Sequence, residues 1–206
     1  MACSSQVSLK IMDPIILASG SLRRQEYFKL LGLPFTIMPA KLDERPMAGQ
    51  TPGDYSRDMA VLKINTIIEQ LRGRIPRWIC GADTVVVVDG EIFGKPADRN
   101  VAKDMIERLQ GRENKVITSI ALFNGKNQNI DCRTVESTVI FADLSDKEIE
   151  WYLNTGEWQG VAGAYKIQKL GGLFVSSIQG SYSAIVGLPI HEFYSMLIDN
   201  GYQYGA

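Results

Sequence analysis

His191 is the only histidine among 206 residues. With no second imidazole, a His-rich metal site is excluded and a Ser-His-Asp triad is disfavoured. The three cysteines, Cys3, Cys80 and Cys132, lie far apart and show no metal-ligand spacing. Cys80 and Cys132 fall in or beside predicted strands and read as buried, reduced thiols of a cytoplasmic protein. No apolar run approaches the roughly 20 residues of a membrane span. Residues 1–12 lack a basic segment followed by an apolar one, so the sequence shows no secretory signal; they read as a short, poorly ordered extension. Excess charge is missing too. The 22 basic and 23 acidic residues leave a formal net charge of −1, which argues against broad nonspecific binding to nucleic acid. A local basic pocket for a small anion stays open. There is no internal repeat, low-complexity tract or flexible linker, so 13–206 reads as one domain, either undivided or as two lobes astride a cleft.

What the chain does have is an ordinary globular composition, 45% hydrophobic and 22% charged, and a mixed order of strands and helices. Residues 14–18, Pro-Ile-Ile-Leu-Ala, predict a short buried strand. Ser19-Gly-Ser-Leu-Arg-Arg24 follows at once and opens a helix that runs to Leu31 and stops at Gly32. Residues 39–53, with Pro39, Pro46, Gly49, Pro52 and Gly53, read as loop, and Asp43-Glu44-Arg45 lies inside it. A long helix is predicted over 54–72, with Tyr55, Met59, Leu62, Ile67 and Leu71 as its apolar face. Residues 78–88 predict a buried strand, and Asp89-Gly90 is a hairpin turn signal. A helix over 99–110 takes Asp98 as its N-cap; strands follow over 115–124 and 132–142. Ser145-Asp-Lys-Glu148 is a capping box ahead of a helix over 146–154. The glycine-rich 157–188 segment reads as short strands, and Pro189 suits the first turn of a last helix ending near Gly201. This order predicts an α/β or α+β fold.

The feature most suggestive of chemistry is Asp83, inside the apolar run Cys80-Gly-Ala-Asp-Thr-Val-Val-Val-Val88. A buried carboxylate is costly unless a metal, a proton or a cation compensates it. Asp83 suits a ligand for a hard divalent cation or a general base toward water; the plainer reading is a structural carboxylate held by backbone donors. The Ser19–Arg24 turn sets small residues and two guanidiniums at a helix start, where free N–H groups and the dipole favour an anion; solvated surface arginines are the alternative. Glu44 is a second candidate carboxylate or a solvated loop charge. Lys95, between Gly94 and Pro96, sits in a stiff turn that suits a phosphate or simply exposes it. Lys63, midway along an apolar helix, either snorkels or points into a cleft. Residues 160–168 form a glycine-rich approach to Gln168, whose amide donates and accepts at once, as a base edge requires; an ordinary loop amide is the bland alternative. Gly180-Ser-Tyr-Ser183 is either a further backbone cradle or packing.

Taken together, Leu17-Ala-Ser-Gly-Ser-Leu-Arg-Arg24, Asp43-Glu44, Lys63, Gly81-Ala-Asp-Thr84, Gly94-Lys-Pro96, Ala162-Gly-Ala-Tyr-Lys-Ile-Gln168 and Gly180-Ser-Tyr…Val186-Gly-Leu-Pro189 occur in an order that resembles the Maf family of nucleotide pyrophosphatases. The resemblance runs from about residue 14 to 200. It implies a mixed-sheet α/β fold similar to the inosine triphosphate pyrophosphatases, with a deep cleft between two lobes. It implies cleavage of a nucleoside triphosphate between its α and β phosphates, a divalent cation (Mg²⁺, Mn²⁺ or Co²⁺) and a homodimer. Gly-Ala-Asp-Thr with a later Ile-Gln looks like the branch acting on dTTP and UTP. Carried over by position, Asp83 matches the proton acceptor, and Arg24, Thr84 and Gln168 match the substrate-specificity positions. Ser19, Arg23, Glu44, Lys63 and Lys95 match the polar cleft around phosphates and metal. Lys63 and Lys95 are then catalytic cations, Ser19 and Arg23 bind substrate, and Glu44 joins Asp83 as a metal ligand. Three departures stand out: Leu22 where the family usually has proline, Lys166 where glycine is usual, and no histidine near Asn114. Family members have also been linked to inhibition of septum formation, so a nucleotide-binding regulator of cell division is the alternative to an enzyme.

Overall fold

A computed structural model describes residues 12–42 and 49–204. The expected extension, apart from Met12, and the Asp43-Glu44-Arg45 segment lie outside the described residues. The spine of the fold is β3, Trp78–Val88, an eleven-residue strand. One edge of it pairs antiparallel with β5, Glu113–Asn124, from Trp78 opposite Asn124 to Val87 opposite Lys115. The other edge is shared. Its first residues, Trp78 to Cys80, run parallel to β1, Ile15–Leu17. Its last, Val86 to Val88, pair antiparallel with β4, Glu91–Phe93, across the Asp89-Gly90 turn. Both turn residues have positive φ, 52° and 80°, as a tight hairpin turn of this hand demands. Residues 81–85 are left without a strand neighbour on that side among the described residues, so the sheet forks.

The rest of the sheet extends these pairings. β2, Phe35–Ile37, flanks β1 in parallel; β6, Asn129–Phe141, and β7, Val175–Gln179, add antiparallel strands beyond β5. The order is β2-β1-β3-β5-β6-β7, with β4 on β3, a mixed seven-stranded sheet of α/β type. On one face lies α2, Pro52–Gln70. Its carbonyl at Ala60 would stand 2.3 Å from a Cβ at position 81, so only Gly81 lets helix and strand close to this distance.

The opposite face carries two separate cores. Phe28 of α1 (Leu22–Leu30) and Phe193 of α6 (Ile190–Asp199) pack with Leu17, Trp78 and Leu122 at the β1 end. Ile106 of α3 (Arg99–Leu109) and Tyr152 of α4 (Asp146–Asn154) pack with Val88, Phe93 and Phe141 at the β4 end. The predicted caps of these helices form: Asp98 accepts from the amides of Asn100 and Val101, and Ser145 and Glu148 make a reciprocal capping box.

Three expectations need correction. The long helix starts at Pro52, not at 54, because Thr51 Oγ1 accepts the Asp54 amide at 3.1 Å and proline at the first turn forfeits no hydrogen bond. Its buried face holds Ser56, Met59, Ala60, Lys63, Ile64 and Ile67, while Leu62 is 43% exposed. The segment 157–188 contains one strand, β7, with 3-10 turns at Ala162–Ala164 and Leu170–Phe174 and a short helix α5, Tyr182–Val186. Positive φ at Gly160, Gly163, Gly180 and Gly187 interrupts extended backbone there. No helix among the described residues is long and apolar enough to cross a membrane.

Candidate active site

The fork in the sheet opens into a cleft of about 590 Å³. Its floor is the free edge of β3. Its walls are the turn from β1 into α1, Lys95 beyond β4, and the 159–169 loop. Strand alternation sends consecutive β3 side chains to opposite faces, so Asp83 points toward α2 and Thr84 toward α1 and α5.

Asp83, 8% exposed, receives Lys63 Nζ on its Oδ1 at 2.7 Å; Lys63 is 6% exposed. The compensation that a buried carboxylate needs is therefore supplied by α2. The Asp83 backbone carbonyl accepts Ser56 Oγ at 3.3 Å, and Ser56 Oγ in turn accepts the Ser119 amide at 3.1 Å, which fixes the strand against the helix. The second carboxylate oxygen of Asp83 has no partner among the described residues.

On the other face, Arg24 is almost fully buried and spreads its guanidinium over three acceptors. Nε donates to the Gly187 carbonyl at 2.8 Å, Nη1 to Ser19 Oγ at 3.0 Å and Nη2 to Thr84 Oγ1 at 3.0 Å. The turn from β1 thus holds together through its own side chains. Ser21 caps α1 without a side-chain hydrogen bond, and no acidic residue stands in the first turn, so the helix start keeps its anion-binding character. Beside it, burial lowers the affinity of Arg23 for its proton, Arg24 lowers it further, and Glu26 works in the opposite sense.

Among the described residues, six cationic side chains line the cleft, Arg23, Arg24, Lys63, Lys95, Lys166 and Lys169, against the carboxylates of Asp83 and Glu26. In a chain of net charge −1 this is a concentrated positive potential. Burial lowers the Lys166 pKa; the neighbouring Lys169 and Arg23 add to the effect, and Glu157 opposes it. Glu157 also accepts the amides of Leu170 and Gly171 at 3.3 and 3.0 Å, pinning the lysine-bearing loop to the end of α4. Gln168 reaches both the cleft and a small recess of about 30 Å³ that it shares with Thr84 and Arg23, and its Oε1 is buried without a partner among the described residues.

Ser19, Arg23, Arg24, Lys63, Asp83, Thr84, Lys95 and Gln168 therefore come together in one cleft. A family model described as Maf-like protein matches residues 14–200.

The chain belongs to the Maf family.

Among its relatives, the dTTP/UTP pyrophosphatase of Symbiobacterium thermophilum is 41% identical over 191 residues, covering 93% of this chain and 96% of that protein. The dTTP/UTP pyrophosphatase of Neisseria gonorrhoeae is 39% identical over 197 residues, with 93% and 96% covered. Among solved structures, the Staphylococcus aureus Ham1 protein overlays with a TM-score of 0.43 at 16% identity, over 63% of this chain and 72% of that one; so partial a likeness carries no argument.

Of the Maf motif residues, Glu44 lies outside the described residues. Leu22 stands at the cleft mouth, 72% exposed. Asn114 is not in the cleft wall; it is buried, donating Nδ2 to the Val139 carbonyl at 3.1 Å and accepting from Tyr165 at 3.4 Å. The 180–183 segment caps α5, where Ser181 Oγ accepts the Ala184 amide at 3.2 Å. Sequence reasoning missed Glu26, Lys169 and Gln159 in the lining. It also missed the Gly187 carbonyl that holds Arg24; the Gly-Leu-Pro step is the signal in the sequence, and the structure gives Gly187 a φ of 126°.

Among the described residues no three His, Cys, Asp or Glu side chains gather around a metal-sized point. A Mg²⁺-like ion does not require that, because it binds through one or two carboxylates plus substrate phosphates. The half-engaged carboxylate of Asp83, in a cleft lined by cations, fits such an ion.

Proposed function

We propose that this Maf protein hydrolyses dTTP and UTP, and modified pyrimidine triphosphates of similar shape, to the monophosphate and pyrophosphate. The observation that carries the reading is a buried carboxylate, Asp83, facing a cleft that six cations among the described residues line at the open edge of β3. The dTTP/UTP pyrophosphatase names of relatives at 41% and 39% identity support the choice of substrate.

A triphosphate repels attacking water by its charge. Arg23, the α1 N-terminus, Lys95, Lys166 and Lys169 offer donors to its oxygens and to the negative charge that grows on departing pyrophosphate. Water adds to one phosphorus of the α–β anhydride, and the bridging oxygen leaves with the other phosphate. Asp83 takes the proton that water loses, its carboxylate aimed by Lys63 at 2.7 Å. Arg24, Thr84 and Gln168 hold the pyrimidine edge. A divalent cation held by Asp83, with Glu44, and by the phosphates would neutralise phosphate oxygens and orient water.

The test is pyrophosphate release from dTTP, UTP, CTP, modified pyrimidine triphosphates, ITP and 7-methyl-GTP with Mg²⁺, Mn²⁺ or Co²⁺, run on the wild type and on Asp83→Asn. The wild type should favour dTTP and UTP, and Asp83→Asn should lose about 10²–10⁴-fold in kcat, the range for a positioned base. Full activity in Asp83→Asn sinks the base assignment. Tight nucleotide binding with no monophosphate under any metal transfers the protein to the regulator of cell division instead.

A further inference from the structure

Arg23, Thr84, Ala162 and Gln168 line both the cleft and the small recess beside it. The recess, about 30 Å³, therefore opens off the cleft where Thr84 and Gln168 stand. Beyond that mouth its character changes. Val86 lies two residues past Thr84 on β3, so strand alternation puts both on one face. Val116 of β5 is the register partner of Val86. Ile185 of α5, with Ala162 and Ile167 of the 159–169 loop, adds further apolar wall, and Tyr165 joins them. We infer that this recess receives the substituent at C5 of a pyrimidine base and limits it to about the size of one methyl group. The inference deepens the reading of the cleft as a pyrimidine triphosphate site and rests on it.

The walls of the recess are fixed. The 159–169 loop approaches β3 closely because position 163 is glycine: a Cβ there would meet Val86 Cγ2 at 2.8 Å, and its φ of 68° is one that other residues rarely adopt. The Gly163 amide donates to the Gly94 carbonyl at 3.2 Å, which ties the loop to the turn after β4. Tyr165 meets the Phe141 ring edge-on, centroids 4.9 Å apart, and its hydroxyl donates to Asn114 Oδ1 at 3.4 Å. Val86, Val116, Tyr165 and Ile185 are all buried. Walls packed in this way widen for a larger group only at the cost of strain.

The chemistry of the walls selects the part of the ligand. A water against apolar walls is poorly held, and an apolar group that displaces it gains affinity. A water needs about 10–15 Å³ of free space, so this recess takes one methyl-sized group and no chain. In a pyrimidine, C5 is bonded to C4, the carbon that bears O4 in uracil and thymine. A base that sets its O4–N3 edge against Thr84 and Gln168 thus carries C5 toward Val86 and Val116. The methyl group of thymine then fills the recess, which uracil leaves empty.

The experiment measures kcat/KM for UTP, 5-methyl-UTP and 5-propynyl-UTP, which share one sugar, in wild type, Ala162→Val and Ile185→Ala, with thermal denaturation of each. In the wild type 5-methyl-UTP should exceed UTP about four- to tenfold, the worth of one buried methyl group. The longer 5-propynyl-UTP should fall below UTP. Ala162→Val fills the recess from its mouth, so the preference for 5-methyl-UTP should vanish. Ile185→Ala widens the recess, so the ratio of 5-propynyl-UTP to UTP should rise; if that variant does not fold, Ile185→Val reads the same direction. A methyl preference untouched by Ala162→Val overturns the inference, as does a wild type that takes 5-propynyl-UTP as well as UTP. A merely structural role for these residues slows all three nucleotides together and leaves both ratios where they were, which overturns it too. A wild type that releases pyrophosphate from none of the three overturns the pyrimidine reading along with the inference. Turnover of UTP with no dependence on the C5 group overturns the inference alone.

Discussion

Replacing Lys63 with methionine removes the cation that compensates Asp83 while keeping most of the buried stem. The two groups are 6% and 8% exposed and 2.7 Å apart. At an effective dielectric constant of about 20, two unit charges at that distance attract by about 6 kcal/mol. Desolvation of the two ions costs several kcal/mol each, so the pair as a whole contributes little net stability. Orphaning one member is different, because the remaining charge has been desolvated for nothing. Such a break costs about 3–5 kcal/mol in a sealed interior, and water in the cleft places this one near 3 kcal/mol. For a chain of this size that is a fall in Tm of about 6–12 °C. The double variant, Asp83→Asn with Lys63→Met, removes both charges and should recover most of that loss. Activity should not follow stability: Lys63→Met should lose about 10²-fold or more in kcat because the carboxylate is no longer aimed and a cation is gone, and the double variant should stay inactive. Differential scanning calorimetry and a pyrophosphate-release assay read the two effects separately. A double variant no more stable than either single one refutes the ion-pair reasoning, and a fully active Lys63→Met refutes the aiming role.

Gly81→Ala should destabilise by about 1–3 kcal/mol, because the new Cβ would meet Ala60 O at 2.3 Å and Ile64 Cγ1 at 3.0 Å; pushing α2 off β3 also draws Lys63 from Asp83, so pyrophosphate release should fall with Tm. Lys166 has its pKa lowered, first by burial and then by Lys169 and Arg23 against the pull of Glu157. Between that lowered value and the ordinary lysine value of about 10.4, the unfolded chain holds more protons, so this residue makes stability rise with pH across the window. A bound polyanion reverses the penalty, so pyrophosphate binding at alkaline pH should take up protons. Calorimetry in two buffers of different ionisation heat measures that uptake, and equal uptake in Lys166→Gly contradicts the assignment. Burial pushes the Cys80 thiol up to about 12 and the Cys132 thiol up to about 11. Neither should react with iodoacetamide near neutral pH until the protein is unfolded, as peptide mapping will show.

Asp83 was legible because a carboxylate contradicts the apolar strand around it, and the hairpin after Val88 was legible from Asp89-Gly90. The partner of Asp83 was harder to find. Reading α2 for apolar residues put Leu62 inside, whereas the buried stripe steps through Ser56, Ala60, Lys63 and Ile67. Two polar members of that stripe are inward because they serve β3, and a hydrophobicity pattern counts them as the outer face. Thr118, whose Oγ1 lies 2.9 Å from Thr84 Oγ1, left no signal at all, since threonine is an ordinary strand former. Its meaning depends on the β3–β5 register that sets it opposite Thr84, and register across two strands separated by a helix is a tertiary property. The 157–188 segment misled for the opposite reason: its apolar residues suggest strands, but its glycines at positive φ turn the chain into the wall of the cleft.

The location of the cleft follows from strand lengths. β3 has eleven residues, while β1 and β4 have three each and claim opposite ends of the same edge. Residues 81–85 remain, and a free edge inside a sheet is where side chains from both faces can reach one ligand. Alternation then divides the labour. Asp83 turns to α2, where Lys63 and Ser56 support it; Thr84 turns to α1 and α5, where Arg24, Thr118 and the Gly187 and Ala184 carbonyls support it. The two supporting networks lie on opposite faces of the sheet and converge on adjacent residues of one strand. Substitutions behind Asp83 should therefore change rate for every nucleotide alike, and substitutions behind Thr84 should change which base is accepted.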